Sequence, residues 1–239
     1  MSTLQRAAIV TGASQGIGFG IANYLAGLGY EVLMVARNAE KLTAAAKQIQ
    51  VSHPKSITPH LAAIDVSDYA KVKEAVENFQ HKTGRIDLLC NNAGSAVRGT
   101  STLTPEEFAK MINTNLIGTF NFIQTVTPFM KKNKSGRIIN IASRSGKIAR
   151  KVLGGYAASK FGVVGFSEAL CKELISEGIY VTAICPGFVA TDATAYMDVD
   201  PTEMVQVDDI VKTVDYLLHL SPSVVIQEIM VQCKIQVAE

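Results

Sequence analysis

A tyrosine and a lysine stand four residues apart, at Tyr156 and Lys160, and together could transfer a proton. Residues at this spacing share one face of a helix. A free tyrosine titrates near pH ~10, which is too high for easy proton exchange at neutral pH. Because a neighbouring ammonium group favours the phenolate, we expect Lys160 to lower the pKa of Tyr156. A tyrosine tuned in this way is suited to act as a general acid towards a carbonyl oxygen or as a general base towards an alcohol.

A glycine-rich segment, Thr11–Gly18, follows a short apolar run and opens a predicted helix. Glycines permit a tight turn, their backbone N–H groups can approach a pyrophosphate, and the helix N-terminus adds partial positive charge. The spacing G-x-x-x-G-x-G differs from the G-x-G-x-x-G of the common dinucleotide fingerprint. The alternative is an ordinary glycine-rich turn, which the position after the first strand disfavours.

Arg37 ends the apolar run Val32–Ala36 and lies 19 residues after Gly18. At this place in dinucleotide-binding domains, an acidic residue bonds the ribose 2′-OH of NAD, whereas an arginine accommodates the 2′-phosphate of NADP. A guanidinium group binds phosphate bidentately, and a carboxylate would repel it. Arg37 therefore favours NADP, the alternative being a solvated arginine at the end of a strand.

Strand-like and helix-like segments alternate along the chain and would position these residues. The predicted strands are Ala7–Thr11, Glu31–Ala36, Thr58–Ala63, Ile86–Asn91, Arg137–Ile141, Tyr180–Ile184 and Glu228–Val231. The predicted helices are Gly16–Leu28, Ala39–Gln50, Ala70–Thr83, a longer one from Thr104, Tyr156–Ser176 and Val207–Leu220. Several strands are apolar throughout, which is typical of parallel strands covered on both faces. We therefore predict an α/β fold, a doubly wound (Rossmann) parallel sheet of about seven strands in a single domain spanning 1–239.

Composition excludes several classes of function. A net charge of +2 gives no footprint for nucleic acid or an anionic membrane. The four cysteines form no C-x-x-C pair, and the four histidines have no ligand spacing, so we expect no metal site. No segment reads as a signal peptide or as a membrane span. The expected location is the cytoplasm, because free cysteines favour a reducing compartment.

The sequence resembles the short-chain dehydrogenase/reductase family from about Ala7 to Thr191. The motifs that carry the resemblance follow the predicted strands and helices in order: Thr11–Gly18, Asp65-Val66, Asn91-Asn92-Ala93-Gly94, Asn115, Ser143, Tyr156-Ala-Ala-Ser-Lys160 and Pro186-Gly187. Single motifs are weak signals, but seven in order are hard to explain otherwise. The C-terminal sequence is similar to that of NADP-dependent 3-hydroxy acid dehydrogenases, and 3-oxoacyl carrier-protein reductases are the other near relatives.

The resemblance implies that Asn115, Ser143, Tyr156 and Lys160 are catalytic. Ser143 would polarise the substrate carbonyl, Lys160 would also hold the nicotinamide ribose, and Asn115 would hold a water that relays protons to Lys160. The alternative is that Tyr156 and Lys160 are ordinary helix residues. It becomes a minor alternative because the sequence also contains Ser143 and the glycine loop.

The resemblance also implies a cofactor site. Asp65 would contact adenine, while Asn91 and Gly94 would line the adenosine side. Pro186, Gly187 and Val189 would pack near the nicotinamide, with Thr191 close to its carboxamide. The full set is Gly12, Ser14, Gly16, Ile17, Gly18, Arg37, Asp65, Val66, Asn91, Ala93, Gly94, Tyr156, Lys160, Pro186, Gly187, Val189 and Thr191. Gln15 stands where many NADP-preferring relatives have a second cation, so Arg37 would act largely alone.

The expected activity is a reversible, NADPH-dependent reduction of a ketone, 3-oxo acid or 3-oxoacyl group to an alcohol. The alternative is a non-catalytic NADP(H)-binding regulator, although such proteins usually lose a catalytic side chain that this chain keeps. By analogy we expect a homodimer or homotetramer that pairs the helix near Thr104–Lys131 and the Tyr156 helix.

Two loops bear on the substrate. Only 19 residues separate Gly187 from Val207, which predicts a short lid. Four cations, Arg144, Lys147, Arg150 and Lys151, lie within eight residues between Ser143 and Tyr156. One hypothesis is that they favour an anionic substrate such as a carboxylate, a phosphate or an acidic carrier. The alternative is a solvated charge run, since charge clusters usually face water.

Overall fold

The computed structural model describes residues 5–238, so the expectations for the first residues of the chain and for residue 239 lie outside the described part. Seven strands form one parallel sheet in the order β3-β2-β1-β4-β5-β6-β7. The strands are β1 (Ala7–Thr11), β2 (Glu31–Ala36), β3 (His60–Ala63), β4 (Leu88–Asn91), β5 (Gly136–Ile141), β6 (Ile179–Pro186) and β7 (Glu228–Val231). The predicted doubly wound, Rossmann-like fold is confirmed.

Helices cover both faces of the sheet. They are α1 (Gly16–Gly27), α2 (Ala39–Ser52), α3 (Tyr69–Thr83), α4 (Pro105–Ile112), α5 (Gly118–Asn133), α6 (Gly154–Leu174), α7 (Val207–Leu218) and α8 (Lys234–Ala238). One core layer packs α1, α2 and α7 on the sheet, and the other packs α3, α5 and α6. Burial on both faces explains why the central strands lack polar alternation.

The boundaries differ from the predicted ones where local context outweighs sequence pattern. The third strand starts at His60, and its residues alternate between half-buried and exposed because β3 is an edge strand. The predicted long helix begins with the expected capping box between Thr104 and Glu107. A π-helical segment, Asn113–Ile117, then separates α4 from α5. The short helix α8 was not predicted.

Replacing Phe122 by alanine tests the core packing, because this side chain on α5 is fully buried beneath the sheet. We expect the free energy of unfolding to fall by about 3–5 kcal/mol, through lost transfer energy and the cavity left behind. Urea denaturation followed by circular dichroism measures it. Val51→Ala, on α2, is the control, since Val51 is 79% exposed and lies outside the helices expected to pair between subunits, and it should cost less than about 1 kcal/mol. Equal losses would contradict this assignment of the buried face.

Candidate active site

The glycine loop between β1 and α1 is shaped by close packing. Gly12 and Gly16 have φ of 65° and 56°, in the left-handed region that favours glycine. A Cβ on Gly12 would lie 2.7 Å from Asn92 Nδ2, and one on Gly18 would lie 2.3 Å from the Gly12 carbonyl oxygen. Neither position therefore has room for a side chain.

Thr11 and Asn92 join this loop to the loop after β4. The Thr11 hydroxyl oxygen accepts hydrogen bonds from the backbone N–H groups of Asn92 at 2.9 Å and Ala93 at 3.0 Å. Asn92 Nδ2 donates in return to the carbonyl oxygens of Thr11 at 3.1 Å and Gly12 at 3.3 Å. Asn92 was absent from the predicted site residues although its motif was recognised. Its position between two predicted residues was the signal that could have found it.

The N-terminus of α1 offers unsatisfied donors. Gln15 at the N-cap makes no side-chain capping bond, and the first turn carries no acidic residue. The first N–H groups of a helix lack partners within the helix and, with the helix dipole, favour an anion. The residues here therefore fit the pyrophosphate of a dinucleotide.

A cleft of about 420 Å³ lies in front of this N-terminus. Of the predicted cofactor residues, it brings together Gly12, Ser14, Gly16, Ile17, Arg37, Val66, Ala93, Gly94 and Thr191. Residues not predicted complete the wall: Gln15, Ala36, Asn38, Lys41, Ile64, Asn92, Thr114, Asp192 and Ala193.

The other predicted cofactor residues do not line this cleft: Gly18, Asp65, Asn91, Tyr156, Lys160, Pro186, Gly187 and Val189. Asn91 is 3% exposed and donates to Asn140 Oδ1 at 2.9 Å. Asn140 donates in turn to Ser167 Oγ at 2.8 Å, so these side chains connect β4, β5 and α6. The structure thus places Asn91 inside the sheet, where it supports the site from beneath.

Two cations stand at the β2 end of the cleft. Arg37 is exposed at the carboxyl end of β2, and Lys41 lies one turn into α2, whose N-terminus is capped by Asn38. Lys41 Nζ donates to Gln15 Oε1 at 3.4 Å. Lys41, which was not predicted, thus brings a second cation to the glycine loop from another element, whereas the expectation that Arg37 acts largely alone stays a prediction.

Asp65 lies beside this end of the cleft. Burial raises the pKa of its carboxyl group, but hydrogen bonds from Ser67 and the charge of Arg37 lower it, and the net pKa is below its ordinary value. The two bonds come from Ser67 N at 2.9 Å and Ser67 Oγ at 2.7 Å. Asp65 therefore carries a negative charge at neutral pH.

Ser143 and Tyr156 meet at the carboxyl end of β5. Ser143 caps a short 3₁₀ turn, and Tyr156 lies in the first turn of α6. Burial raises the pKa of Tyr156, while its hydrogen bond with Ser143 lowers it, and the net pKa is above the ordinary value. The hydroxyl groups of these two residues, both predicted to be catalytic, therefore lie next to each other.

Lys160 does not lower the pKa of Tyr156 as the sequence led us to expect. Its Nζ lies 5.8 Å from the centre of the Tyr156 ring and donates to the Ile141 carbonyl oxygen at 2.8 Å. The ammonium group thus faces the ring and a carbonyl group. Lys160 is itself buried, and burial lowers its pKa to about 8.

Asn115 lies in the π-helical segment and holds the loop after β4 against α6. Its Nδ2 donates to the Ser95 carbonyl oxygen and to Ser159 Oγ, both at 2.9 Å, and its Oδ1 accepts from Ser95 N at 2.7 Å. A Cβ on Gly94 would lie 3.3 Å from Asn115 Oδ1 and 3.7 Å from Lys160 Nζ. The structure therefore brings Asn115, Gly94 and Lys160 together, and π-helical turns are frequent at functional sites.

The short lid after β6 is tied back at its base. Val205 N donates to the Phe188 carbonyl oxygen and Ala190 N donates to the Val205 carbonyl oxygen, both at 2.9 Å. This pairing buries Val189. The lid then reaches the cleft wall at Thr191, which faces Gly16.

Two of the four loop cations have structural partners. Arg144 donates to the Gln236 carbonyl oxygen at 3.2 Å, and Lys147 pairs with Glu228 at 2.9 Å. The Arg150 guanidinium lies 5.0 Å from the centre of the Phe188 ring, next to the lid. The cluster is therefore neither wholly solvated nor wholly directed at a substrate.

Within residues 5–238, no group of His, Cys, Asp or Glu side chains could hold a metal ion. In the same part of the chain, no helix is both long and apolar enough to cross a membrane.

The chain is similar in sequence and fold to known proteins. A family model described as short chain dehydrogenase matches residues 6–202. An uncharacterised oxidoreductase of Staphylococcus saprophyticus is 36% identical over 228 residues, covering 95% of this chain and 97% of the relative. The crystal structure of a β-ketoacyl-[ACP] reductase from Bacteroides thetaiotaomicron superposes with a TM-score of 0.88 at 35% identity, covering 98% of this chain and 100% of that chain. A variant of actinorhodin polyketide ketoreductase, crystallised with NADPH, gives a TM-score of 0.88 at 32% identity, covering 98% of both chains.

Fold and relatives together define an oxidoreductase on a Rossmann-like fold, from a family whose members bind nicotinamide cofactors and act on small molecules. The chain belongs to the short-chain dehydrogenase family and is close to its 3-oxoacyl-[acyl-carrier-protein] reductases. The resemblance found in the sequence is confirmed.

The buried ammonium group of Lys160 makes stability depend on pH. Its pKa of about 8 in the folded chain lies below the ordinary 10.5, so the unfolded chain binds more protons between these values. The cost of burying the charge is full below about pH 8 and disappears as the pH rises towards 10.5. Relative to Lys160→Met, the parent should therefore gain about 2–3 kcal/mol of unfolding free energy between pH 7 and pH 10.

Urea denaturation of both proteins at several pH values measures this difference. Lys172→Met serves as control, because Lys172 is exposed on the same helix and should show no such rise below pH 10. A difference between parent and Lys160→Met that stays constant with pH would contradict the lowered pKa.

Proposed function

We propose that the protein catalyses the reversible reduction of a carbonyl group to an alcohol, with NADPH as cofactor and Tyr156 as general acid/base. The observation that carries this proposal is the convergence of Ser143, Tyr156 and Lys160 at the strand ends beside the cleft. Ligands of open α/β sheets bind outside the carboxyl ends of the strands.

Different residues of the cleft would bind different parts of the cofactor. The free N–H groups at the start of α1 suit the pyrophosphate, and Arg37 with Lys41 suits the 2′-phosphate. Thr191 and the segment after Pro186 would face the nicotinamide half. When bound, the nicotinamide supplies the hydride for the carbonyl carbon.

The protein supplies the proton and its control. Ser143 Oγ would donate a hydrogen bond to the carbonyl oxygen, and the Tyr156 hydroxyl group would donate the proton. Because Tyr156 has a raised pKa, it stays protonated at neutral pH and is ready to act as an acid. Lys160 would hold the nicotinamide ribose, and Asn115 would hold a water that relays protons to Lys160.

A 3-oxo acid or 3-oxoacyl group is the substrate class that the relatives' names support. Arg150 and Lys151, which make no ion pair within residues 5–238, would favour an anionic form of it. A neutral ketone is the alternative, with these cations facing water.

Two further expectations stay predictions. Apolar side chains are exposed on α4, the π-helical segment, α5 and α6: Phe108, Ile117, Phe120 and Phe161. They support a homodimer or homotetramer that pairs these helices, because exposed apolar patches often mark interfaces. The cytoplasm remains the expected location.

The activity is tested by NADPH oxidation over a panel that pairs 3-oxo acids with neutral ketones of equal length. Tyr156→Phe should lower kcat by about 10²–10⁴-fold, the usual contribution of general acid–base catalysis. NADPH affinity should stay within about 2-fold, because the ring is kept. Tyr180→Phe, on β6, is the control and should keep full activity.

Tight NADPH binding by the parent without turnover of any carbonyl would favour the alternative, a non-catalytic NADP(H)-binding regulator. The chain nevertheless keeps all four side chains predicted to be catalytic, Asn115, Ser143, Tyr156 and Lys160, which supports the enzyme.

The preference for NADPH should depend on both cations at the β2 end. We expect Arg37→Asp to weaken NADPH binding by about 10- to 100-fold, with little effect on NADH, because a charge-assisted bond becomes a repulsion. Lys41→Ala should weaken NADPH binding by a smaller factor in the same direction. Lys47→Ala, exposed on the same helix α2, is the control. Isothermal titration with both cofactors measures these affinities. Equal losses of affinity for NADH and NADPH would favour the alternative, in which Arg37 is a solvated residue at the end of a strand.

A further inference from the structure

The short C-terminal helix α8 buries a polar side chain and exposes its apolar neighbours. Gln236 is 3% exposed, whereas Ile235 and Val237 are 36% and 70% exposed. Burying an amide group is costly unless its hydrogen bonds are made. The inverted pattern indicates that the bonds of Gln236 hold α8 in place.

The Gln236 side chain binds the backbone directly after β6. Its Oε1 accepts hydrogen bonds from Phe188 N at 2.8 Å and from Cys233 Sγ at 3.2 Å. A Cβ on Gly187 would lie 1.8 Å from the same oxygen, so Gly187 has no room for a side chain while Gln236 is docked. The amide group and the glycine therefore fit together as one contact.

The Gln236 backbone binds a second loop. Its carbonyl oxygen accepts from Arg144 Nη2 at 3.2 Å, and Arg144 directly follows Ser143. Gly187 N also donates to the Val231 carbonyl oxygen at 2.7 Å, which extends the pairing of β6 with β7. One residue near the C-terminus thus connects the loop bearing Ser143 to the segment that leads to Thr191.

We propose that Gln236 is a positioning residue for the reaction, because it fixes the Gly187–Phe188 backbone relative to Ser143. This inference rests on the proposed function, in which that backbone faces the nicotinamide and Ser143 faces the carbonyl oxygen. Small displacements between reacting groups cost large factors in rate. Gln236 lies far along the chain from Arg37 and Lys41, and none of its contacts involves the adenosine end of the cleft.

The test compares two ligands on the full chain. NADPH would occupy the whole cleft, whereas adenosine 2′,5′-bisphosphate would occupy only the adenosine end. Gln236→Met keeps the size of the side chain and removes the acceptor. It should raise the Kd for NADPH by about 5- to 20-fold and lower kcat by about 10-fold or more. The Kd for the bisphosphate should change less than about 2-fold, a split that a merely structural role would not produce.

Three further variants sharpen the test. Gln236→Glu retains the acceptor for Phe188 N and should restore most of kcat and of the NADPH affinity. Gln232→Met, on the same terminal segment, should behave as the parent. If Gln236→Met does not fold, Arg144→Met provides a second test of the same split between the two ligands, because it removes the bond from the Ser143 loop to the Gln236 carbonyl oxygen.

Equal weakening of both ligands, or parent-like values in Gln236→Met, would overturn the positioning role. A parent that binds NADPH but reduces no carbonyl would instead refute the proposed reaction, and the split in Kd would still decide whether Gln236 positions the nicotinamide segment. A parent that binds neither ligand would refute both.

Discussion

The whole cofactor side of the molecule depends on one hydroxyl oxygen, that of Thr11. It accepts two backbone N–H groups from the loop after β4, and Asn92 closes the arrangement by donating back. These bonds hold the glycine loop against its neighbour so closely that Gly12 and Gly18 have no room for side chains. Because the interior is densely packed, movement of either loop would displace the other. The cleft thus lies in front of the glycine loop and the loop after β4, which these hydrogen bonds keep together.

The two ends of the site treat charge in opposite ways. At the β2 end, Arg37 and Lys41 are exposed, so their charges are hydrated at little cost and remain available to a phosphate. At the end that holds Tyr156, the Lys160 ammonium group is buried against a ring and a carbonyl group, and its pKa falls to about 8. The first arrangement suits affinity. The second suits reactivity, because a group held near its titration point responds strongly to a charge that appears beside it.

Most of the fold was predictable, because apolar runs and helix caps are local signals. The runs Ala7–Thr11 and Glu31–Ala36 became β1 and β2 without change, and Thr104 capped α4 as expected. The predicted residues that line the cleft were identified from motifs and their positions after strands, whereas their roles in cofactor binding, and the catalytic roles of Ser143 and Tyr156, stay predictions. Lys41 was missed because its approach to Gln15 spans two elements. The wrong direction for the pKa of Tyr156 has a similar cause, since helical spacing places Lys160 on the same face but does not say where its Nζ points. The burial of Gln236 opposes the local pattern of α8 and could be seen only in three dimensions.

The paired base of the lid has an evolutionary consequence. Backbone hydrogen bonds join Phe188 and Ala190 to Val205. The ends of the loop between them are therefore held together whatever side chains the loop carries. Lengthening such a closed loop costs little entropy, roughly 0.6 kcal/mol for each doubling. Insertions and substitutions at the tip can therefore accumulate while the strand ends beneath stay in register. Variation in this loop can therefore reshape the cleft wall at Thr191 while the sheet beneath it is inherited unchanged.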